Sequence, residues 1–277
     1  MHFVKMQGTG NDFIIIDNRS EGVPESVLPT LARRLCTRRL SIGADALMAV
    51  DFPRQGGDLQ MRFYNADGSE GEMCGNGARC LARFALESGL SGDRVCMETM
   101  SGNVLAWRHS RREYEVRLNP PTVLIPDYPV DVNGVTYDCA YVELGSPGLP
   151  HAVVPMPGLA GKTQAELRPL GMALRHHPAF RKGANVNFYD WENGAVRLLT
   201  YERGVENFTL ACGTGSGSTS AVLAAKGLAS DTVHLIVPGG TLRVRVQREG
   251  AAVTGLFLIG DTNWVAEGEV TDEDLSL

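Results

Sequence analysis

Two stretches of this 277-residue chain set a cysteine directly before glycine at what reads as a helix start: MCGNGARCLARFALESGL at 73–90 and ACGTGSGSTSAVLAAKGL at 211–228. The first backbone N–H groups of a helix have no intrahelical acceptor, and the helix dipole adds positive potential there, so such a start binds an anion. The same field draws a thiol's pKa down from about 8.5. Glycine lets a ligand approach the backbone closely. Each motif is therefore suited to seat a carboxylate on its amides with a sulfur beside it. A carboxylate held between two such starts would have its α-carbon flanked by Cys74 on one face and Cys212 on the other. One thiolate can then remove the α-proton while the opposite thiol supplies a proton, which inverts the centre. The helix dipoles stabilise charge moving onto the carboxylate without an electron-sink cofactor.

The elements that must position these cysteines repeat. At an offset of 138, Cys74 meets Cys212, Gly75 meets Gly213, and Gly77 meets Gly215; further on, Gly89-Leu90 meets Gly227-Leu228, Asp93 meets Asp231, Val95 meets Val233 and Gly102 meets Gly240. A gapless register through 29 positions points to two copies of one unit. Each cysteine opens a helix of roughly 13 residues, rich in Ala and Leu, that closes at a glycine. Both helices are apolar on most faces and are expected to be buried. Short β-type runs surround them, among them DFIIID, LQMRFYN, RVCMETM, EYEVRLN, HAVVPM, NVNFYDW, AVRLLTYE, TVHLIV, TLRVRVQ and GLFLIG. Further helices are predicted over 25–39 and 163–175. The fold expected is α+β, with two pseudo-symmetric domains, each a curved sheet wrapped around a central buried helix. The Pro-rich LNPPTVLIPDYPV places the boundary near 118, giving domains 1–118 and 119–263, with 264–277 returning to the first.

Composition narrows the function. A net charge of −6 with no sustained Lys/Arg stripe argues against a nucleic-acid partner. Arg33, Arg34, Arg38 and Arg39 read as a solvated helix face, and the histidines of HHP at 176–178 as surface. No apolar run approaches the roughly 18 residues of a membrane span, and the first residues lack a signal-peptide core. A cytoplasmic protein with no membrane partner is expected. The six cysteines (Cys36, Cys74, Cys80, Cys96, Cys139, Cys212) fit neither a disulfide scaffold nor zinc-ligand spacing, and most read as small buried hydrophobes. The GTGSGSTS run lacks the lysine of a phosphate-binding loop, and there is no Cys-x-x-Cys.

GTGNDF (8–13), NADGSEGEMCGNGARC (65–80), ANVNF (184–188), YERG (201–204), LACGTG (210–215) and VPGG (237–240) together resemble the diaminopimelate epimerase family, from one end of the chain to the other. The resemblance implies an isomerase with no cofactor and no metal that inverts one centre of LL-diaminopimelate to the meso form, for lysine and peptidoglycan synthesis. It also implies a homodimer. Carried onto this sequence, Cys74 and Cys212 are base and acid, and Gly75, Asn76, Gly213 and Thr214 cradle the reacting carboxylate. Asn11 contacts the substrate near the reacting centre. Asn65, Asn185 and Arg203 hold its distal end, where an arginine suits a carboxylate bidentately. Glu202 and His151 assist the thiols in proton transfer. Read from the residues alone, His151 is a strand-end histidine with its hydrogen bonds satisfied.

Three positions depart from the family pattern. Ala46 stands where some members carry a substrate-binding Gln, Leu149 where a binding Asn is usual, and Phe208 where a Glu is usual. Leu149 cannot hydrogen-bond a substrate through its side chain. Two other readings therefore stay open at the sequence level. One is a racemase of a different amino acid, of histidine or proline type, on the same fold. The other is a non-catalytic ligand-binding or thiol redox-sensing protein.

Overall fold

A computed structural model of the chain describes every residue except Glu72, Asp274, Ser276 and Leu277. Glu72 of the 65–80 stretch, and Asp274, Ser276 and Leu277 of the expected 264–277 return, thus lie outside the described residues. By internal contacts the chain divides into Met1–Val116 with Gly260–Leu277, and Arg117–Ile259. The sequence reading put the two seams at 118/119 and 263/264.

The first unit holds strands β1 (His2–Gly8), β2 (Asn11–Asp17), β3 (Ala46–Asp51), β4 (Leu59–Asn65), β5 (Glu70–Gly71), β6 (Arg94–Thr99), β7 (Gly102–Arg108) and β8 (Glu113–Leu118). Its helices are α1 (Asn18–Glu21), α2 (Leu28–Cys36) and α3 (Gly75–Glu87). Strands β1 and β2 pair antiparallel, β2 and β3 parallel, β3 and β4 antiparallel, β4 and β6 parallel, and β6 through β8 antiparallel. Parallel neighbours need long crossovers. Here α1 and α2 span one crossover and β5 with α3 the other.

The second unit repeats this plan. It contains β9 (Pro121–Ile125), β10 (Val130–Val132), β11 (Val135–Tyr137), β12 (Ala140–Leu144), β13 (Leu149–Pro155), β14 (Asn185–Glu192), β15 (Ala195–Glu202), β16 (Asn207–Phe208), β17 (Thr232–Val237), β18 (Gly240–Glu249) and β19 (Ala252–Asp261). Its helices are α4 (Gln164–Arg175) and α5 (Gly213–Ala225). The run β12-β13-β14-β15-β17-β18-β19 alternates parallel and antiparallel pairs in the same order as β1-β2-β3-β4-β6-β7-β8. Strands β2 and β13, helices α3 and α5, and strands β6 and β17 all begin 138 positions apart. The edge strand that β9 supplies beside β12 is supplied in the first unit by C-terminal β20 (Asn263–Glu269), antiparallel to β1. The chain beyond it is tied by the Asp272 carboxylate, which takes both arms of Arg34 at 2.7 and 2.6 Å.

Every residue of α3 from Gly75 to Ala85 is buried, and so is every residue of α5 from Gly215 to Ala224. A helix buried on all sides must be enclosed, and strands β1, β2, β6 and β7 enclose α3 as β9, β12, β13, β14 and β18 enclose α5. On the outer face of β2 and β3, helix α2 packs Leu28, Leu31 and Leu35 against Ile14, Ile16, Leu47 and Ala49. Those two strands are thus covered on both faces, which is why they read as unbroken apolar runs. Helix α2 is shorter than the predicted 25–39 and α4 matches 163–175 closely, started by Thr163 in a capping box with Glu166. Of the basic residues on and after α2, Arg33 and Arg39 are exposed, but Arg34 is engaged by Asp272 and Arg38 by Asp12 and Asp45. His176 is exposed, while His177 is half-buried with Nε2 on the Asp131 carbonyl. No helix among the described residues is long and apolar enough to cross a membrane.

Candidate active site

Each motif cysteine is the N-cap of a buried helix. Cys74 caps α3 and Cys212 caps α5, both in extended backbone (φ −121° and −115°) before a glycine enters the first turn. In α5 the sulfur itself caps: Cys212 Sγ accepts the Gly215 N–H at 3.3 Å and lies 3.5 Å from Thr214 Oγ1. An amide donor and the positive end of a helix dipole are thus aimed at that sulfur. The other thiols are placed differently. Burial pushes Cys36, Cys80 and Cys139 each up to about 12, the range of an inert core cysteine. All six are free.

In the first unit, Asn11 and Asn76 meet directly, Asn76 Nδ2 donating to Asn11 Oδ1 at 2.6 Å, so the end of β2 is joined to the first turn of α3. Asn11, Ala46 and Asn65 sit on the α3 face of β2, β3 and β4, in phase with Phe13, Met48 and Phe63 of the core around α3. Asn65 is exposed, with Nδ2 on Ser69 Oγ at 3.0 Å, and Ala46 is fully buried. Gly77 packs closely: a Cβ there would stand 3.2 Å from Met48 Sδ and 3.4 Å from Phe13 Cε1.

In the second unit the α5 face of β13, β14 and β15 carries Leu149 and His151, then Asn185 and Asn187, then Thr200 and Glu202. The alternate residues Ala152, Val154, Val186, Phe188, Leu199 and Tyr201 face α4. A period of two sorts them. Parallel pairing puts His151 beside Asn185, and Asn185 Oδ1 accepts the Arg203 N–H at 2.7 Å. The Arg203 guanidinium is held by the Lys182 carbonyl at 3.0 Å. Glu202 is pushed above the usual carboxylate range by burial, and hydrogen bonds from Thr209 and from Cys212 draw it partly back. A carboxyl of raised pKa beside a thiol is suited to pass a proton to and from it.

That position has a measurable consequence for stability. Because the folded chain holds Glu202 above its unfolded pKa, folding favours the protonated form. The penalty is absent below the unfolded pKa, grows as pH rises from the unfolded to the folded value, and is constant above it. Glu202→Gln is expected to raise the melting temperature relative to wild type at pH 8 and to change it least near pH 4, a comparison that thermal unfolding across pH checks.

His151 is fully buried, and its Nε2 has no hydrogen-bond partner among the described residues. The satisfied strand-end histidine expected from the residues alone is therefore corrected. Burial first, and then the charge of Arg203, push its pKa down to about 3, so the ring is neutral. Phe208 faces away from this surface: it packs edge-on to Tyr201 at 5.3 Å in the α4-side core. Its departure from the family pattern is accounted for by packing, whereas Ala46 and Leu149 do lie on the α3 and α5 faces. Asn187 and Thr200 were not singled out in the sequence. The signal present was the alternation in ANVNF, which puts Asn187 on the same face as Asn185.

Residues 3–124 and 145–265 match the family model described as diaminopimelate epimerase. The chain belongs to the diaminopimelate epimerase family. A diaminopimelate epimerase of Methanothrix thermoacetophila is 38% identical, over 99% of this chain and 98% of its own. One of Aquifex aeolicus is 36% identical, over 99% of each chain. Among solved structures, a probable proline racemase from Agrobacterium radiobacter matches with a TM-score of 0.70 at 22% identity, covering 98% of this chain and 92% of that one. A hydroxyproline epimerase from Agrobacterium vitis matches with a TM-score of 0.69 at 19% identity, covering 99% and 93%. These two likenesses concern the fold. In this epimerase family member, Cys74, Gly75, Asn76, Asn11 and Asn65 belong to the first unit. Cys212, Gly213, Thr214, His151, Asn185, Glu202 and Arg203 belong to the second.

Proposed function

We propose that this chain is a diaminopimelate epimerase, an isomerase that interconverts LL- and meso-diaminopimelate by a two-thiol acid–base mechanism. The observation that carries the reading is the recurrence, at one offset and on one topology, of a cysteine capping the buried helix of each unit. Family membership supplies the substrate.

In the mechanism proposed, the amides that open α3 and α5, at Gly75-Asn76 and Gly213-Thr214, seat the reacting carboxylate. Cys74 and Cys212 address opposite faces of the α-carbon. A thiolate takes the α-proton, the C–H electron pair moves onto the carboxylate against the two helix dipoles, and the other thiol delivers a proton from the far side. The first sulfur ends protonated and the second ends as thiolate, so the reverse direction exchanges their roles. Asn11 contacts the reacting end, and Asn65, Asn185 and Arg203 hold the distal amino acid end. Glu202, hydrogen-bonded to Cys212, and His151 assist proton transfer. The same resemblance supports a cytoplasmic homodimer.

Leu149 favours a second reading, because it presents an apolar side chain on the α5 face at the position Asn11 holds in the first unit. That reading is a racemase of another amino acid. Incubating the enzyme in D₂O with diaminopimelate, proline and histidine separates the two. We expect deuterium at the α-carbon of diaminopimelate, with inversion. Exchange confined to another amino acid would sink the diaminopimelate assignment and leave the two-thiol chemistry standing.

A further inference from the structure

A buried chain of three side chains runs across the α5 face of the second unit, from Thr200 on β15 through Asn187 on β14 to His151 on β13. Thr200 is 3% exposed, and Asn187 and His151 are wholly buried. Antiparallel register sets Asn187 opposite Thr200. The amide of Asn187 has only one workable orientation. Its Oδ1 accepts the Thr200 hydroxyl at 3.0 Å, and its Nδ2 faces the carbonyls of Ala152 at 3.0 Å and Asn185 at 3.4 Å. Carbonyls only accept, so the end facing them must be the NH₂.

The same Nδ2 lies 3.2 Å from His151 Nδ1. A donor aimed at Nδ1 requires a lone pair there, which leaves the ring proton on Nε2. It also opposes protonation of Nδ1, in the same direction as burial and the charge of Arg203. The result is a buried Nε2–H with no acceptor among the described residues. Leaving such a donor unpaired costs about 1–3 kcal/mol, a cost that a group binding there in the working enzyme would offset.

We propose that Asn187 and Thr200 are positioning residues that hold His151 as its neutral Nε2–H tautomer, so that His151 serves the reaction as a hydrogen-bond donor and neither as a resident cation nor as a base. The proposal rests on the amino acid inversion reading for its catalytic part, and on the geometry alone for the tautomer. Gly215 belongs to the same device: a Cβ there would stand 2.3 Å from Asn187 Oδ1, so α5 seats its first turn directly on the amide that orients the histidine. The first unit has no counterpart. By strand register its residues on the α3 face are Phe13, Met48 and Phe63, which supply no imidazole, amide or hydroxyl.

Long-range ¹H–¹⁵N correlation of the histidine-labelled enzyme tests this, with His151→Gln to assign the ring. The wild type is expected to show His151 protonated at Nε2 only, unchanged between pH 5 and 8. Thr200→Val, which keeps the shape and removes the hydroxyl, and Asn187→Leu are expected to give mixed tautomers. Both should lower kcat at least about tenfold, the usual cost of freeing a histidine from its orienting partner, with little change in KM. A wild-type His151 that is Nδ1–H or cationic at pH 7 would overturn the proposal, and this arm needs no variant. So would variants whose tautomer and kcat both match wild type. If no amino acid is inverted while His151 is held as Nε2–H, the function reading fails and the tautomer assignment stands.

Discussion

Cys212→Ala is expected to lower the rate of diaminopimelate inversion by at least about 10³-fold, within the range that a positioned proton-transfer group contributes. Cys74→Ala should do the same, because each thiol supplies a proton on one face that its twin cannot reach. The alanine variant confounds chemistry with capping, since Cys212 Sγ also accepts the Gly215 N–H, and losing a cap costs about 0.5–2 kcal/mol. Cys212→Ser resolves this. Its hydroxyl can keep the cap but is not ionised near neutral pH, so melting temperature should recover while activity does not. The isotope pattern is sharper still. Each single-cysteine variant is expected to retain slow α-proton exchange with D₂O for one configuration of substrate only, and the two variants for opposite configurations. Substantial inversion by either variant, or exchange of both isomers by one remaining cysteine, would remove the two-base assignment.

Gly215→Ala is expected to destabilise the second unit by about 3 kcal/mol, the upper end of the usual cost of overpacking. Helix propensity argues the other way, since alanine in a helix is favoured over glycine by about 1 kcal/mol. Space decides the sign. The new Cβ would fall 2.3 Å from Asn187 Oδ1, 3.0 Å from Thr200 Oγ1 and 3.2 Å from Cys212 Cβ. Asn187 cannot yield without breaking its bonds to Thr200, Ala152 and His151. Gly77, its counterpart in α3, would meet its nearest neighbour, Met48 Sδ, only at 3.2 Å, and a methionine adapts. Gly77→Ala should therefore cost much less. Thermal unfolding is expected to show a fall of roughly 6–12 °C for Gly215→Ala. Equal effects at the two glycines would show that helix entry, rather than the asparagine beneath α5, sets the cost.

Much of this molecule was legible before any coordinates. The cysteine–glycine starts, the two 13-residue helices and the 138-residue repeat are local or periodic features, and local backbone preference and spacing carry them. The resemblance drew Asn11, Asn65, Asn185, Arg203, Glu202 and His151 into one expected site. Strands β1, β3, β7 and β9 went unrecognised, as did the short β5, β10, β11 and β16. Strand β3, ALMAVD, is built from helix-favouring Ala, Leu and Met and is covered on both faces, so it shows neither alternation nor strand propensity. The C-terminal strand β20 was expected only as a return of unspecified form. Its sequence, NWVAEGE, has few strand formers, and its pairing with β1 is a contact between opposite ends of the chain.

The sequence by itself determined what chemistry is possible: two thiols, each at the head of a buried helix, on two copies of one plan. Tertiary structure decided which side chains share a face with the helix starts. That Phe208 turns into the α4-side core, that Gly215 must be glycine, and that Asn187 fixes the proton of His151 all depend on strand register. Those strands bring together residues 13 to 36 positions apart in the chain. A one-residue slip in any of them would send the same side chains to the opposite face, and no local preference encodes which face that is.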